Sequence, residues 1–277
     1  MSLSSRPKRI AYVILGMHRS GTSSIAGSLV ALGAAAPATL MLPKPDNPLG
    51  FWESYRIMNL NDAILAAAGS DWKDWKAVDH THLAGAVGEA FAIEAVTALE
   101  SEFGSADTVV LKDPRICRLY PFWRKALEAA GYEPVVILPV RHPDKVARSL
   151  HERNGLPIED GWNLWLRHVL DAERDSRQDV RMVATFDDFA ASWADRFASL
   201  AAVSGVDLTL SDPHSMAEVN RFWARDVPSA AVAPDDSQLP GIISQAWSTL
   251  KNISKNGDTP ENRFELNKLR ADMEARV

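Results

Sequence analysis

The sequence contains a single cysteine, Cys117, among its 277 residues. One thiol cannot form an internal disulfide, and neither a CxxC pair nor a histidine-rich cluster indicates a metal site. Long apolar runs are also absent: IAYVILG near the N-terminus falls well short of the ~20 residues of a membrane span and is too short for the core of a signal peptide. These absences favour a soluble, cytoplasmic protein that has no membrane span and needs no metal.

An excess of positive charge is absent as well. The 30 lysines and arginines are outnumbered by 36 acidic residues, which gives a formal net charge of −6 and argues against a nucleic-acid partner. With 46% hydrophobic and 24% charged residues, the chain is in the globular range and is long enough for one large α/β core. Any site for phosphate groups must therefore be built from individually placed basic residues.

The chain is organised as repeated strand-then-helix units. An apolar run at residues 10–15 ends at Gly16 and leads into a helical pattern, and TVVLK, PVVILPV and RMVAT each precede a further helical pattern. The run VVILPV is continuously apolar, which is typical of a strand buried on both faces. The sequence predicts an α/β fold with a central parallel sheet of four to five strands flanked by helices.

The expected organisation has three parts. Residues 1–9 are predicted to be a disordered leader, residues 10–227 one domain, and residues 228–277 a linker followed by C-terminal helices that pack on the domain. Within the domain, the proline-rich residues 34–52 have no periodicity and predict an ordered surface loop. Loops of that length are often functional.

The turn after the first strand, Gly16-Met-His-Arg-Ser-Gly-Thr-Ser23, has the composition of an anion-binding loop. Two glycines five residues apart, followed by hydroxyl residues at a helix start, allow backbone N–H groups to surround a tetrahedral anion. A nucleotide-binding P-loop requires lysine where this chain has Thr22, so the main cation of triphosphate chemistry is missing. Arg19 offers a planar fork for a smaller anion instead.

The segment GMHRSGTS resembles the 5′-phosphosulfate loop of the sulfotransferases that use 3′-phosphoadenosine-5′-phosphosulfate (PAPS), especially bacterial members and Golgi enzymes with an RSGT core. The resemblance implies a P-loop-NTPase-like sulfotransferase fold, with PAPS as donor, PAP as product and no metal. It also implies that the 5′ end of the donor is bound by His18, Arg19, Ser20, Gly21, Thr22 and Ser23.

A second motif follows the third strand. Pro143 suits the first turn of a helix, which places Arg141 at the strand tip and Ser149 on the helix behind it, where both can face one ligand. This pair is similar to the family's 3′-phosphate motif, an arginine and a serine separated by seven residues. Two separate anion sites suit PAPS better than a nucleotide without a 3′-phosphate.

Phe186 lies where relatives of the family carry a segment near the adenine. It is therefore a candidate to stack on the adenine base, and the alternative is that it is a core phenylalanine.

Sulfuryl transfer requires a base for the acceptor proton and cations for the leaving phosphate. Residues 47–53, NPLGFWE, resemble the NPxGxxE segment of bacterial members, in which a glutamate is the base, so Glu53 is the candidate. The alternative for Glu53 is a structural carboxylate that is stabilised by a helix dipole, and His18 is the rival candidate for the base.

Residues 111–115, LKDPR, are similar to the family's (R/K)DPR turn. Lys112 or Arg115 is expected to reach the transferring group, with Asp113 orienting Arg115 or capping the next helix.

The resulting hypothesis is a PAPS-dependent sulfotransferase that acts on a hydroxyl or amine of a small-molecule or saccharide acceptor. One alternative is a nucleotide kinase or ATPase with a degenerate P-loop, in which Asp113 would lie near Mg²⁺. Another is a non-catalytic PAP-binding protein. The sequence leaves the acceptor and the oligomeric state open.

Overall fold

The computed structural model describes residues 8–224 and 236–276. Four strands lie at the centre: β1 (Arg9–Ile14), β2 (Thr108–Lys112), β3 (Tyr132–Val140) and β4 (Val180–Thr185). The helices are α1 (Thr22–Ala31), α2 (Tyr55–Ala67), α3 (Gly85–Phe103), α4 (Ile116–Ala129), α5 (Pro143–Asn154), α6 (Ile158–Asp175), α7 (Phe186–Ala191), α8 (Trp193–Ser204), α9 (Pro213–Trp223), α10 (Gly241–Asn256) and α11 (Pro260–Glu274). Short 3₁₀ helices span His80–Leu83 and Asp236–Gln238.

The four strands form one parallel sheet in the order β2-β1-β3-β4. The prediction of an α/β fold with a parallel sheet flanked by helices is confirmed, and the described residues contain four strands. The chain leaves β1 for one neighbour, β2, and then returns to the other side of β1 to form β3. Ligands of such sheets bind where the order reverses, beyond the carboxyl ends of the strands. The order therefore places the expected site after β1 and β3.

Both faces of the sheet are buried, as the continuous apolar runs indicate. Alternate side chains of β1 point to opposite faces: Ala11 and Val13 join a core with α2, α3, α4, α6, α10 and α11, whereas Tyr12 and Ile14 join a core with α1, α7, α8 and α9. All four side chains are essentially inaccessible to solvent. The rigid centre of the molecule is therefore the element from which the candidate anion loop emerges.

Helix α5 has the ends that its sequence predicts. Pro143 lies in its first turn, and Gly155 follows its last residue in the left-handed conformation, with φ of 68°. Its neighbour α6 approaches closely because Gly161 has no side chain: a Cβ there would lie 2.9 Å from both Cα and Cβ of Ala147. This close crossing fixes the position of α5 and hence of the residues that it presents to the site.

Several boundaries differ from the predictions. Strand β1 begins at Arg9, one residue earlier than expected, because the Arg9 guanidinium donates to the carbonyl oxygens of Gly104, Ala106 and Ala130. The rest of the predicted leader, except Lys8, lies outside the described residues. The helix expected after β4 is broken at Ser192 into α7 and α8.

The region after α8 also differs, since α9 forms where the periodicity was too weak to predict a helix. Most of the predicted linker lies outside the described residues. Beyond it, α10 packs on β4, where the Thr185 N–H donates to Ser254 Oγ at 2.9 Å. In the described parts of the chain, every helix is too short or too polar to cross a bilayer.

We expect Gly161→Ala to lower the free energy of unfolding by about 1 kcal/mol. The overlap with Ala147 costs roughly 1–3 kcal/mol as overpacking, and the better helix propensity of alanine returns roughly 1 kcal/mol. Urea denaturation measures the change. Gly241→Ala is the matched control, because a Cβ there meets no atom within 4 Å, and it should be neutral or slightly stabilising. A Gly161→Ala protein as stable as this control would contradict the packing argument.

Candidate functional site

A cavity of about 200 Å³ opens at the carboxyl edge of the sheet, at the reversal of strand order. Its walls come from the loop after β1, the segment 46–53, and the ends of β2 and β3. Its lining is rich in basic and hydroxyl side chains. These residues are His18, Arg19, Gly21, Thr22, Ser23, Ser24, Asp46, Asn47, Pro48, Leu49, Phe51, Glu53, Lys112, Pro114, Arg141, Arg153 and Phe222.

The two loop glycines are required by close approaches. A Cβ on Gly16 would lie 2.4 Å from Cγ2 of Thr22, and one on Gly21 would lie 2.1 Å from the Phe186 ring. Gly21 also has a φ of 80°, which glycine adopts without strain. It precedes α1, whose N-terminus has no side-chain cap. The loop therefore presents the positive end of a ten-residue helix to the cavity.

Arg19 connects the two motifs that the sequence predicts as separate anion sites. Its Nε donates to Ser149 Oγ at 2.7 Å, and its carbonyl oxygen accepts from Arg141 Nη1 at 2.9 Å. Its backbone has a φ of 69°, a left-handed conformation that costs a residue with a Cβ roughly 1–2 kcal/mol. Arg141 and Ser149 thus hold the strained loop in this structure, and the two predicted sites form one connected cluster.

Phe186 does not present a ring face to the cavity. Only 3% of the residue is exposed, its ring stacks on Trp223 at 5.9 Å, and the Arg141 guanidinium lies over it at 5.3 Å. It is absent from the cavity lining. The core alternative therefore describes this side chain, and its contribution to the site is to support Arg141 and to pack against Gly21.

Glu53 and Lys112 form a buried ion pair at the base of the cavity, with 4% and 5% of each residue exposed. The Lys112 ammonium also donates to the Phe51 carbonyl oxygen at 2.9 Å and to Ser23 Oγ at 3.4 Å. Ser23 Oγ in turn accepts from Asn47 Nδ2 at 3.1 Å. One ammonium group thereby ties the end of β2 to the long loop and to the start of α1.

The backbone around Glu53 is held in an unusual conformation. Trp52 has a φ of 59°, which is rare for an aromatic residue, and its ring packs on Phe222 with 5.8 Å between centroids. The Glu53 carbonyl oxygen accepts from the Met41 N–H at 2.7 Å. Strain of this kind persists where the surroundings impose it and is common at functional sites. Here the strained residue directly precedes the buried Glu53.

Arg115 and Asp113 do not line this cavity. The Arg115 guanidinium is paired with Asp62, 2.5 Å from Nε to Oδ1, and with Asp113, 3.3 Å from Nη1 to Oδ2. Asp113 Oδ1 also accepts from the Arg115 N–H at 2.8 Å, so Asp113 orients Arg115, whereas the start of α4 has no side-chain cap. Of the two basic residues of the LKDPR turn, Lys112 is therefore the one that reaches this cavity.

A second cavity of about 310 Å³ adjoins the first. The two share His18, Asp46, Phe51, Glu53 and Arg153. The remaining lining of the second cavity combines methionine, tryptophan and basic side chains: Met41, Lys44, Met58, Trp72, Arg115 and Asn154. Glu53 therefore lies in the wall between a basic cavity and a second cavity that is partly apolar.

His18 lies in the same wall, with its ring 5.0 Å from that of Trp72. Burial, with a further contribution from Arg115, holds the pKa of His18 well below its usual value. A histidine with so low a pKa is uncharged near neutral pH and a weak base. Its Nε2 has no hydrogen-bond partner within residues 8–224 and 236–276, and the same holds for the buried Ser20 Oγ. Both atoms leave hydrogen-bonding capacity unused beside the anion loop.

The structure thus brings His18, Arg19, Gly21, Thr22, Ser23, Glu53, Lys112 and Arg141 to one cavity, with Ser149 bound to Arg19 and Ser20 buried behind the loop. Two charged lining residues, Asp46 and Arg153, belong to no motif. Arg153 follows Ser149 by four positions on α5, so helical spacing from the recognised serine would have placed it on the same face.

The described residues define an α/β protein with a basic cavity at the switch point of a parallel sheet. No protein-family model, curated protein or solved structure matches the chain. The chemistry of the site therefore rests on its own residues.

We expect Arg19→Gly to be about 1 kcal/mol more stable than Arg19→Ala. Both variants lose the bond to Ser149, but only alanine retains the cost of the left-handed backbone. The difference between their free energies of unfolding in urea measures the strain. Equal stabilities would show that the loop relaxes to another conformation once the side chain is removed.

Proposed function

We propose that the chain is a sulfotransferase that uses PAPS and a hydroxyl or amine acceptor, with Glu53 as general base. The observation that carries the proposal is the position of Glu53, a buried carboxylate in the wall between a basic cavity and a second, partly apolar one. This arrangement suits a group-transfer enzyme with two substrates and one general base, because donor and acceptor must meet at that base.

The first cavity suits the anionic end of the donor. The start of α1, Arg19, Arg141 and Lys112 supply N–H groups and positive charge, and Ser20 Oγ is a buried hydroxyl without a partner in the described residues. At about 200 Å³ the cavity is smaller than the roughly 300–1,000 Å³ of most small-molecule sites, so it accounts for the phosphosulfate end rather than for the whole nucleotide. The 3′-phosphate of PAPS would compete with the Arg19 guanidinium for the hydroxyl of Ser149.

When bound, PAPS supplies a sulfuryl group on a phosphate leaving group. As the acceptor oxygen or nitrogen bonds to sulfur, the sulfur–oxygen bond to the phosphate breaks. Glu53 would take the acceptor proton, and Lys112 and Arg19, which line the same cavity, would stabilise the negative charge that grows on the departing phosphate. The low pKa of His18 makes it the weaker candidate for the base and suits a role as a neutral hydrogen-bonding group.

A phosphate-transferring enzyme with a degenerate P-loop fits these residues less well. Thr22 stands at the lysine position, and Asp113, the candidate for binding near Mg²⁺, has its carboxylate occupied by Arg115 outside the cavity. The pKa of Asp113 is raised by burial, which is opposite to what a metal-binding carboxylate favours.

Ligand-induced stabilisation separates these functions. Without magnesium, PAP at about 100 times its Kd should raise the melting temperature by about 5 °C, since binding then adds about 2.7 kcal/mol to stability. ATP with magnesium should give a smaller shift. Thermal denaturation followed by intrinsic fluorescence measures both. A shift with ATP and magnesium but none with PAP would favour the phosphate-transfer alternative.

Glu53→Gln should lower the turnover of sulfate from PAPS by about 10²–10⁴-fold while the Kd for PAP stays within about threefold, because the amide cannot accept the proton. Transfer is measured with radiolabelled PAPS and PAP binding by calorimetry. Glu53→Asp keeps the charge beside Lys112 and should keep part of the turnover, which separates lost chemistry from lost folding. Near-normal turnover by Glu53→Gln would show that Glu53 is not the base. If the wild-type protein binds PAP but transfers no sulfate to any member of a broad acceptor panel, the chain is a non-catalytic PAP-binding protein.

A further inference from the structure

Arg153 lies in the wall shared by the two cavities, one helical turn beyond Ser149 on α5. Ser149 contacts Arg19 of the anion loop, so α5 leads from the first cavity toward the second. The guanidinium of Arg153 has no carboxylate within 4 Å anywhere in the described ranges, and Nε donates only to the neighbouring Asn154 side chain. Burial, together with the nearby Arg19 guanidinium, lowers the pKa of Arg153.

The acidic side chains of the second cavity and Arg115 are already paired. Asp46 lies 3.6 Å from Arg19, Glu53 is paired with Lys112, and Arg115 is held by Asp62 and Asp113. Two basic side chains of the lining, Arg153 and the exposed Lys44, therefore remain without a carboxylate at ion-pair distance in the described parts of the chain. A partly buried guanidinium without a carboxylate partner is costly, and a bound anion removes that cost.

The rest of the chamber is suited to an uncharged ring or short chain. Met41 and Met58 provide flexible apolar surface, and Trp72 provides aromatic surface beside His18. Glu53 lies in the wall that the second cavity shares with the first. A molecule that occupies the second cavity can therefore place a hydroxyl against the Glu53 carboxylate.

We propose that the second cavity takes an acceptor that carries an anionic group, a carboxylate, phosphate or sulfate, in addition to the hydroxyl that receives the sulfuryl group, and that Arg153 binds this anion. This inference rests on the proposed function and adds the charge of the acceptor to it. Arg153 is a specificity residue: it selects among acceptors, whereas Glu53 takes the proton.

The test measures binding to protein saturated with PAP. Two matched probe pairs are used: methyl β-D-glucuronide against methyl β-D-glucoside, and 4-hydroxyphenylacetate against 4-hydroxyphenylacetamide. At least one anionic member should bind tenfold or more tightly than its neutral partner in calorimetry or ligand-observed NMR, as expected for a charge-assisted hydrogen bond. Arg153→Gln should abolish the preference, and Arg153→Lys should retain part of it.

Arg148→Gln is the matched control, because Arg148 lies on the same helix, is exposed and pairs with Asp144. It should leave the preference unchanged. Equal binding within both pairs, or a preference that survives Arg153→Gln, overturns the proposal. A tenfold loss of PAP affinity in Arg153→Gln with an unchanged preference would also overturn it, by assigning Arg153 to the donor. Failure of PAP itself to bind the wild-type protein is a different result, which rejects the proposed function.

Discussion

The site depends on the buried ion pair between Glu53 and Lys112. Lys112 ends β2, Glu53 ends the long loop after α1, and the Lys112 ammonium also bonds the Phe51 carbonyl oxygen and the Ser23 hydroxyl. Removing either partner would leave a buried charge, which costs roughly 3–5 kcal/mol. The pair therefore joins sheet, loop and helix at a buried carboxylate that faces both cavities, so the stability of the site and its proposed chemistry rest on the same two groups.

The backbone on either side of this pair departs from ordinary geometry. Arg19 and Trp52 are the non-glycine residues with positive φ in the described ranges, and both lie beside the cavity. Each is held from outside: Arg19 by Arg141 and Ser149, and Trp52 by packing on Phe222. The strain is concentrated where side chains must converge on one small volume, while the sheet beneath keeps regular pairing.

Much of the fold follows from local sequence, because buried parallel strands and capped helices leave periodic patterns and glycine or proline boundaries, as at Pro143 and Gly155. The residues of the loop after β1 could also be assigned to one cavity from the sequence, because they are adjacent in the chain and directly follow a buried strand. The hydrogen-bond and ion-pair partners of the side chains could not be predicted from the sequence, since they depend on contacts between distant segments. Spacing alone suggested that Ser149 faces a ligand, whereas it binds Arg19, and nothing local showed that Asp62 holds Arg115 or that Trp223 covers Phe186.

The long loop is anchored at its base and exposed at its tip. Thr39 is fixed by two hydrogen bonds to Glu102, and the Met41 N–H is bound to Glu53, whereas Leu42 is 69% exposed. Substitutions or short insertions at residues 42–45 would thus alter the rim of the second chamber without moving the carboxylate. Because exposed loop tips tolerate sequence change, this rim can vary while the centre of the site stays constant, so that one scaffold could take different ligands in the second cavity.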